Sequence, residues 1–358
     1  MENDFVYDMA VFICRAQPLH RGHCYVIREA LSQSRYVTIL LGSSFTPRSY
    51  RNPWSFEERK EMILNSFPQQ TDRIVILPLE DTIYNDTIWI QNVQHLVADA
   101  ITEKFGESIH YEGKYPVITL IGHSKDQSSY YLKLFPQWAS VDVPGYEVDV
   151  NKVLSATSIR DIYFDENKAL FSIVTSHLPV GTLDFLNKFR NTKAFTDIAE
   201  EYAFIQKYKK GWELAPYPPI FVTVDAVVHV SGHILLIERK SFPGKGKWAI
   251  PGGFLNQDET IANATIRELK EETKIKLPVP VLKGSIVGTR VFDHPHRSSR
   301  GRTITHATLF NLTPDANLPI VKGSDDAKTA VWWPLADIKR EIIFEDHLDI
   351  ITSMMGMI

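Results

Sequence analysis

The stretch GFLNQDETIANATIRELKEETKI, residues 253–275, places glutamates at helical spacing in the second half of the chain. Glu268, Glu271 and Glu272 are three and four residues apart, so one face of a helix presents their carboxylates together. Neighbouring carboxylates repel one another, whereas a hard divalent cation binds several oxygen ligands at once. The stretch therefore predicts a helix over 259–273 that binds a divalent metal ion. A solvated acidic helix is the alternative.

The spacing of three further residues argues against a merely solvated helix. Gly253, five residues, Glu259, seven residues and then Arg267 within RELKEE follow the Nudix signature, so the stretch resembles this family of hydrolases. The resemblance implies an α/β/α Nudix fold in the C-terminal part, with the three glutamates and Gly253 holding Mg²⁺ or Mn²⁺. It also implies that Arg267 orients the carboxylates, that Glu259 supports the preceding loop, and that metal-activated water attacks a diphosphate.

One residue departs from the Nudix signature. Lys274 occupies the position near the end of the box where the family has glycine, a residue that relaxes the backbone at a helix C-terminus. Because every acidic position is present, the departure puts the local turn in question more than the metal site. The catalytic base differs within the superfamily and stays open here. Candidates outside the box include Asp325 and Asp326.

A basic loop follows the acidic helix. Residues 291–310, VFDHPHRSSRGRTITHATLF, place Arg297, Arg300 and Arg302 before a predicted strand. The loop resembles the corresponding loop of ADP-ribose pyrophosphatases, which implies that these arginines bind ADP-ribose. A solvated basic loop is the alternative. The segment VWWPL (331–335) resembles the usual close of a Nudix fold, and we expect its tryptophans in the core.

The first half of the chain has a different pattern. From residue 8 to about 145, short apolar runs alternate with longer amphipathic stretches. The runs are MAVFIC (9–14), YVTILLG (36–42), RIVILPL (73–79) and YPVITLIG (115–122). This alternation predicts an α/β fold with a Rossmann-like, doubly wound parallel sheet. In such sheets, ligands bind beyond the carboxyl ends of the strands.

A change in pattern separates the two halves. Residues 158–210 have the pattern of consecutive helices, the Pro-rich segment 211–220 follows them, and β-rich sequence comes next. The length of 358 residues also exceeds what one hydrophobic core usually organises. We therefore predict a first domain over 1–190, a helical and Pro-rich linker over 191–218, and a second domain over 219–358.

A short motif in the first domain predicts a phosphate site. In CRAQPLHRGHCYVI (14–27) a buried strand ends, a loop follows, and a helix begins near Gly22. A helix N-terminus offers unpaired N–H donors, and glycine lets the backbone approach a ligand. His20 and His23 both face that space from the loop and the first helical turn. Two surface histidines, or a pair that binds a structural metal, are the alternatives.

Two other segments favour the phosphate site. SATSIRD (155–161) places hydroxyl groups before a helix, where they can cap it and line a second anion site. Arg160 follows one turn later. RSYRNPWSFEERKEMI (48–63) adds Arg48 and Arg51 before another helix start.

HRGH (20–23) together with SATSIR (155–160) resembles the nicotinamide mononucleotide (NMN) adenylyltransferase family, especially its archaeal-type branch, over about residues 8–185. HxGH alone is less specific, since class I aminoacyl-tRNA synthetases and other small adenylyl- and cytidylyltransferases contain it too. The resemblance implies in-line attack of the NMN phosphate on the α-phosphorus of ATP. Mg²⁺ accompanies the triphosphate, and no covalent enzyme intermediate forms.

The same resemblance implies roles for individual residues of this sequence. His20, His23 and Arg160 would carry catalysis by binding the ATP phosphates. Asn85 and Trp89 would line the nicotinamide pocket, although a core position for Trp89 is the alternative. The other implied ATP or NMN contacts are Arg15, Gln17, Gly22, Arg51, Ser155, Thr157 and Ser158.

The composition fits a folded chain that binds small ligands. Charged residues make up 23% and hydrophobic residues 44%, and the formal net charge is −4, so no global positive field would hold nucleic acid. Cys14 and Cys24 do not suggest a disulfide framework, which favours a reducing cytoplasm. The N-terminus MENDFVYD lacks the features of a signal peptide, and no apolar run is long enough to span a membrane.

The preferred hypothesis joins two enzymes. One converts NMN and ATP to NAD and pyrophosphate, and the other hydrolyses ADP-ribose to AMP and ribose 5-phosphate with Mg²⁺. We expect neither nucleic acid nor membrane as a partner, and a homo-oligomer is one expectation by analogy with dimeric Nudix pyrophosphatases. One alternative is transfer to another phosphorylated acceptor, such as phosphopantetheine or FMN. The other is a Nudix domain that senses ADP-ribose without hydrolysing it, against which the complete acidic box argues.

Overall fold

The computed structural model describes residues 5–106, 115–124, 127–149, 152–153, 155–165, 168–315, 317–324 and 326–357. Two compact units divide the chain, Met1–Ala199 and Glu200–Ile358. The division falls within the helix Lys193–Lys210, inside the segment for which the sequence predicted a linker. Across the described ranges, no helix combines the length and the apolar character needed to cross a bilayer.

The first unit contains a sheet of five parallel strands in the order β3-β2-β1-β4-β5. Its strands are β1 (Tyr7–Cys14), β2 (Ser34–Leu41), β3 (Ile74–Pro78), β4 (Ile118–Gly122) and β5 (Ala139–Asp142). The first four coincide with the apolar runs of the sequence, because strands covered on both faces need apolar side chains on both. The predicted Rossmann-like sheet is confirmed.

Helices accompany these strands. They are α1 (Arg21–Gln33), α2 (Phe56–Ser66), α3 (Asp86–Phe105), α4 (Ala156–Phe164), α5 (Lys168–Thr175), α6 (Val180–Phe189) and α7 (Lys193–Lys210). A 3₁₀ segment, Gln127–Lys133, and a short pair of strands, β6 (Glu147–Asp149) and β7 (Lys152–Val153), lie between β4 and α4.

The strand order places a ligand site at the end of β1. Strand β1 pairs with β2 on one side and with β4 on the other, so the connections leave it in opposite directions. In open α/β sheets, this topological switch point leaves a crevice at the carboxyl ends of the strands. The crevice here lies where Cys14 ends β1 and Arg21 begins α1.

The second unit has a mixed sheet of seven strands. They are β8 (Phe221–Val230), β9 (His233–Arg239), β10 (Trp248–Ala249), β11 (Gly252–Phe254), β12 (Ile286–Phe292), β13 (Thr303–Asn311) and β14 (Ala327–Pro334). Strands β8 and β13 run parallel, and the other pairs are antiparallel. The helices are α8 (Ile261–Thr273), α9 (Val279–Gly284) and α10 (His347–Met355). This Nudix arrangement was predicted from the sequence and is confirmed.

Helix α8 carries the acidic box and is fixed by its apolar face. Ile266 and Leu269 are buried in the core cluster of the second unit. Thr260 caps the N-terminus, since its hydroxyl accepts a hydrogen bond of 3.4 Å from the backbone N–H of Asn263. The helix ends at Lys274, whose φ of 46° is left-handed. The turn that glycine makes in the family is therefore kept here, although a lysine makes it.

We expect Lys274→Gly to stabilise the second unit. A left-handed φ costs a residue with a Cβ about 1–2 kcal/mol, and the greater chain entropy of glycine offsets part of this, so the net gain should be about 0.5–1 kcal/mol. Denaturant unfolding measures the difference. Lys276→Gly is the control, because Lys276 has no left-handed φ and should gain nothing. A loss of stability in Lys274→Gly would contradict the expectation.

Candidate functional site

The first unit has a cavity of about 310 Å³ at the carboxyl end of β1. Most of the residues predicted for the phosphate site line it, and they come from the loop after β1, from the start of α1 and from the start of α4. They are Arg15, Gln17, His20, Gly22, His23, Ser155, Thr157 and Arg160. Segments more than 130 residues apart in the chain thus meet at one cavity, as the Arg160–Gln17 contact shows with a separation of 143 residues.

The two histidines of the motif cap helix α1. The backbone N–H of Gly22 donates to Nδ1 of His20 over 3.1 Å, and the N–H of His20 donates to Nδ1 of His23 over 3.4 Å. Both Nδ1 atoms therefore act as acceptors, so the proton of each neutral ring is on Nε2. Burial, with a smaller effect of Arg15, lowers the pKa of His23 to about 4. His23 is thus a neutral hydrogen-bond donor at physiological pH.

Gly22 is required by the close approach of the first histidine. A Cβ at this position would lie 2.9 Å from Cε1 and 3.0 Å from Nδ1 of His20. Any side chain here would therefore displace the imidazole of His20.

Arg160 brings a positive charge to the cavity from helix α4. Its Nη1 donates to the carbonyl of Gln17 over 2.5 Å and its Nη2 donates to Oγ1 of Thr157 over 3.1 Å, while Nε is buried without a partner among the described residues. Burial lowers the pKa of Arg160 to about 10, which leaves it protonated. In the described part of the chain, no carboxylate forms a salt bridge with it, so its charge is available to an anion.

Four residues predicted for this site lie outside the described lining of the cavity: Ser158, Arg51, Asn85 and Trp89. Asn85 is exposed and caps α3 by accepting a hydrogen bond from the N–H of Ile88 over 3.1 Å. Trp89 packs against the core of the unit, in ring contact with Tyr131 and Phe135. Their roles in ligand binding remain predictions.

Other lining residues escaped the sequence analysis. His123, Tyr131 and Tyr146 all line the cavity. His123 directly follows β4, so the rule that ligands bind at carboxyl ends of strands could have identified it. Its Nδ1 lies 2.9 Å from the carbonyl oxygen of Val143.

A buried arginine that the sequence analysis also missed, Arg59, holds the ends of β1 and β2 beside the cavity. Arg59 on α2 has no exposed surface, and its Nη1 donates to the carbonyls of Arg15 over 2.6 Å and Gly42 over 2.8 Å. Its Nη2 donates to Oγ of Ser44 over 3.1 Å. Arg59 therefore fixes the chain where β1 and β2 end.

The second unit has a cavity of about 260 Å³ over the acidic helix. All the residues predicted to bind metal line it, together with Arg267 and Asp326. The lining is Gly252, Gly253, Phe254, Asn256, Arg267, Glu268, Glu271, Glu272 and Asp326. Asp325, the other candidate base, lies outside the described residues.

Arg267 bonds to three carboxylates at once. It donates to Glu259 over 2.9 and 2.5 Å, to Glu268 over 2.8 Å and to Glu271 over 3.0 Å. The hydrogen bond from Arg267 is the main reason that the pKa of Glu259 falls to about 2. These contacts agree with the roles expected from the sequence for Arg267 and Glu259. Arg267 bonds to the carboxylates and so orients them. Glu259 connects Arg267 to the preceding loop, because its Oε1 also accepts a hydrogen bond of 2.9 Å from the backbone N–H of Asn256.

Glu272 lies deeper than the other glutamates. It is buried, and its Oε2 accepts a hydrogen bond from the N–H of Gly252 over 2.9 Å. Burial raises its pKa to about 8, and the nearby charges of Glu268 and Asp225 act in the same direction. A buried carboxylate with neighbours of like charge favours a bound cation.

The donors of this cavity fit a divalent cation. Carboxylate oxygens are the ligands that hard cations prefer, and the backbone approaches them closely, since a Cβ on Gly253 would lie 2.3 Å from Oε1 of Glu268. Within the described residues, no three acidic, His or Cys side chains already form a set that could close on one ion. Arg267 donates hydrogen bonds to two of the carboxylates, Glu268 and Glu271.

In the basic loop, the Nε of Arg300 is buried without a hydrogen-bond partner among the described residues. Arg297 is buried and donates to Asp346 over 2.9 and 3.1 Å, and Arg302 donates to the carbonyl of Asp293. Arg300 lies with its guanidinium 5.0 Å from the ring centre of Phe254. The prediction that all three arginines bind ADP-ribose therefore has its best geometric support at Arg300.

Fold and geometry define a nucleotidyltransferase unit and a Nudix hydrolase unit in one chain. The Cytidylyltransferase-like family model matches residues 11–162, and the NUDIX domain model matches residues 219–353. The first range contains the residues that line the first cavity, and the second range contains those that line the second.

Relatives match each half and the whole. Nicotinamide/nicotinic acid mononucleotide adenylyltransferase of Acinetobacter baylyi is 37% identical over 199 residues, or 55% of this chain and 95% of that protein. ADP-ribose pyrophosphatase of Methanocaldococcus jannaschii is 36% identical over 134 residues, or 37% of this chain and 72% of that protein. A crystal structure of a bifunctional NMN adenylyltransferase/ADP ribose pyrophosphatase from Francisella tularensis, complexed with AMP and a Mn ion, aligns with a TM-score of 0.86 and 38% identity, covering 98% of this chain and 99% of that one. The chain belongs to this family of bifunctional NMN adenylyltransferase/ADP-ribose pyrophosphatases.

The pKa of His23 predicts a pH-dependent stability. Because about 4 lies below the ordinary 6.5, the unfolded chain binds this proton more readily, so stability present above pH 6.5 is lost as pH falls towards 4. The loss should reach at most about 3 kcal/mol. We expect the melting temperature of His23→Gln to fall less steeply than that of the wild type over this range, as calorimetry of the first unit would show. Parallel profiles would refute this origin.

Gly253→Ala should weaken metal binding without unfolding the second unit. The added methyl group would displace the flexible end of Glu268, so we expect Mn²⁺ affinity to fall about tenfold or more, a loss typical of changes next to metal ligands. Titration of the nucleotide-free protein, followed by electron paramagnetic resonance, measures it. Gly284→Ala is the control, because no atom lies within 4 Å of its added methyl group. Equal affinities in both variants would mean that Glu268 does not bind the ion.

Proposed function

We propose that the first unit transfers the adenylyl group of ATP to NMN, and that the second unit hydrolyses ADP-ribose to AMP and ribose 5-phosphate. One observation carries the proposal: a single chain holds one cavity of neutral and cationic donors and another of carboxylates. Anionic phosphates bind such donors directly, whereas carboxylates bind phosphates through a cation. The similarity to the Francisella tularensis protein along 98% of this chain supports the pairing.

In the first unit, the chemistry needs donors more than a base. A phosphate oxygen of NMN, already ionised at neutral pH, forms a bond to the α-phosphorus of ATP, and the bond to the bridging oxygen breaks as pyrophosphate leaves. Negative charge grows on the transferred and leaving groups. His20 and His23 offer Nε2–H donors and Arg160 offers charge, whereas the backbone N–H groups of the first turn of α1 are already bonded to His20 and to the carbonyl of His177. The side-chain donors stabilise that charge and align the two substrates.

In the second unit, Glu268, Glu271, Glu272 and the backbone of Gly253 would hold a divalent cation. When bound, such a cation supplies positive charge to the diphosphate and lowers the pKa of the attacking water. Water oxygen forms a bond to one phosphorus, and the bridging P–O bond breaks. Arg267 keeps the carboxylates on one face of α8, and Asp326 lines the cavity as the described candidate base.

The proposal also includes the metal ion, the ligands and the cellular location. Mg²⁺ is the proposed ion, with Mn²⁺ as a substitute, because both are hard cations that carboxylates bind. The ligands are small molecules: ATP, NMN or NAD, and ADP-ribose. A cytoplasmic location, a homo-oligomer and the absence of nucleic-acid or membrane partners remain predictions from the sequence.

Two variants should separate the activities. His23→Ala should lower NAD formation from NMN and ATP about a hundredfold, because one well-placed donor contributes roughly 3 kcal/mol to such a transition state. Glu271→Gln should abolish AMP release from ADP-ribose and Mg²⁺. Each variant serves as the control for the other, since each should keep the activity of the unaltered unit. Product chromatography on the same purified protein measures both reactions.

The same assays test the alternatives. Transfer to phosphopantetheine or FMN in preference to NMN would replace the first half of the proposal. Binding of ADP-ribose without AMP release by the wild type would make the second unit a sensor. The complete set of carboxylates around the cavity favours hydrolysis.

A further inference from the structure

The start of helix α10 is bonded to two other segments of the second unit by its side chains. Asp346, the residue before the helix, accepts hydrogen bonds of 2.9 and 3.1 Å from Arg297 of the basic loop. His347, the first helical residue, accepts one of 3.1 Å at Nδ1 from the backbone N–H of Ile250. Both residues are buried. Two neighbouring side chains thus bond to segments that lie 49 and 97 residues earlier in the chain.

The bond of His347 fixes a short connection next to the carboxylate cavity. Residues 250–251 join β10 to β11, which begins at Gly252. Burial, aided by the charge of Arg297, holds the pKa of His347 well below its ordinary value, so the ring is neutral. Its Nδ1 keeps the lone pair that accepts the backbone hydrogen. The imidazole therefore holds the connection in place through an uncharged hydrogen bond.

Asp346 reaches the same connection through two further side chains. The Nη2 of Arg297 lies 3.8 Å from Oδ2 of Asp225, and Thr305 donates to that same oxygen over 2.5 Å. Asp225 pairs in register with Gly252 and lies against it, since a Cβ on Gly252 would be 2.4 Å from Oδ1 of Asp225. The contacts that start at Asp346 thus end at Gly252, beside the residues that the imidazole holds.

The segment 250–253 in turn determines where two carboxylates of the cavity lie. The N–H of Gly252 donates to Glu272 over 2.9 Å. Gly253 approaches Glu268 so closely that a Cβ on the glycine would lie 2.3 Å from Oε1 of the glutamate. Both carboxylates line the cavity. A shift of this segment would therefore disturb both glutamates at the same time.

The turn before α10 is locally unfavourable. An aspartate at an N-cap position usually accepts a hydrogen bond from the first turn of its helix, yet Asp346 makes no such bond and accepts from Arg297 instead. Glu345 has a left-handed φ of 42°, and its carboxylate accepts from the N–H and the hydroxyl of Ser299 over 3.0 and 3.2 Å. Two unfavourable features at adjacent residues indicate that contacts with other segments, rather than the helix itself, determine this turn.

We propose that Asp346 and His347 are positioning residues of the hydrolase reaction, which hold residues 250–253 where the glutamates of the cavity can bind the cation. The inference rests on the proposed hydrolase function and adds two residues that act through the backbone. Residues that orient metal ligands change metal affinity or activity by about tenfold to a hundredfold when they are replaced.

Binding of Mn²⁺ to the nucleotide-free full chain, followed by electron paramagnetic resonance, tests the proposal. His347→Leu removes the acceptor for the N–H of Ile250 without changing the charge, so we expect Mn²⁺ affinity to fall about tenfold or more. His347→Asn has nearly the shape of leucine, but its Oδ1 takes the place of Nδ1, so its affinity should stay close to that of the wild type. The kcat of ADP-ribose hydrolysis should follow the same order, with a smaller change in KM.

Met354→Ala is the matched control for stability. Met354 lies on the same helix and is fully buried, so this variant should lower the melting temperature while Mn²⁺ affinity stays unchanged. If His347→Leu does not fold, His347→Gln replaces it, because its amide lies one bond farther from the backbone and should weaken Mn²⁺ binding too. An equal loss of affinity in Met354→Ala would show a purely structural effect and would overturn the proposal.

Mn²⁺ affinity also separates this inference from the proposed function, because binding does not require hydrolysis. If the wild type does not hydrolyse ADP-ribose, but affinity falls in His347→Leu and is kept in His347→Asn, the function is wrong and the positioning role stands. If ADP-ribose is hydrolysed and His347→Leu binds Mn²⁺ as the wild type does, the positioning role is wrong. A loss in His347→Asn as large as that in His347→Leu would also contradict it.

Discussion

One guanidinium, that of Arg267, holds the acidic face of the second active site together. It donates to Glu259, Glu268 and Glu271, so groups that repel one another stay side by side before any cation arrives. The opposite face of the same helix is fixed by apolar packing, with Leu269 fully buried. Charge on one side and hydrophobic burial on the other thus determine one helix orientation. The loop contact through Glu259 keeps Arg267 beside these carboxylates.

The first cavity differs in charge, because its buried arginines, Arg59 and Arg160, form no salt bridge with a carboxylate among the described residues. The groups to which these two arginines donate are uncharged: the carbonyls of Arg15, Gly42, Ser55 and Gln17 and the hydroxyls of Ser44 and Thr157. A carbonyl satisfies a hydrogen bond without cancelling the charge, whereas a carboxylate would do both. The net positive charge therefore remains at the carboxyl end of the sheet, where the phosphates of a nucleotide would lie. The same hydrogen bonds fix the loop that carries the histidines.

The sequence predicted what depends on short spacing. The HRGH motif and the three glutamates Glu268, Glu271 and Glu272 each span about one helical turn, so their spacing alone predicts that these side chains lie close together. Contacts between distant segments could not be predicted in this way. Arg297 has the sequence context of a loop residue, yet it is buried against Asp346, 49 residues later. Arg239 has the sequence context of an ordinary strand end, and only the structure shows that its guanidinium packs 4.2 Å from the ring centre of Phe344.

The net charge of −4 is the sum over the whole chain, and the two cavities differ in the charge of their linings. Arginines line the first cavity, and the charged residues that line the second are mostly carboxylates. Both proposed reactions act on phosphate anions, and the lining of the first cavity includes His23 and Arg160, a neutral and a cationic donor. The second cavity, lined by carboxylates, repels such anions unless a cation is bound.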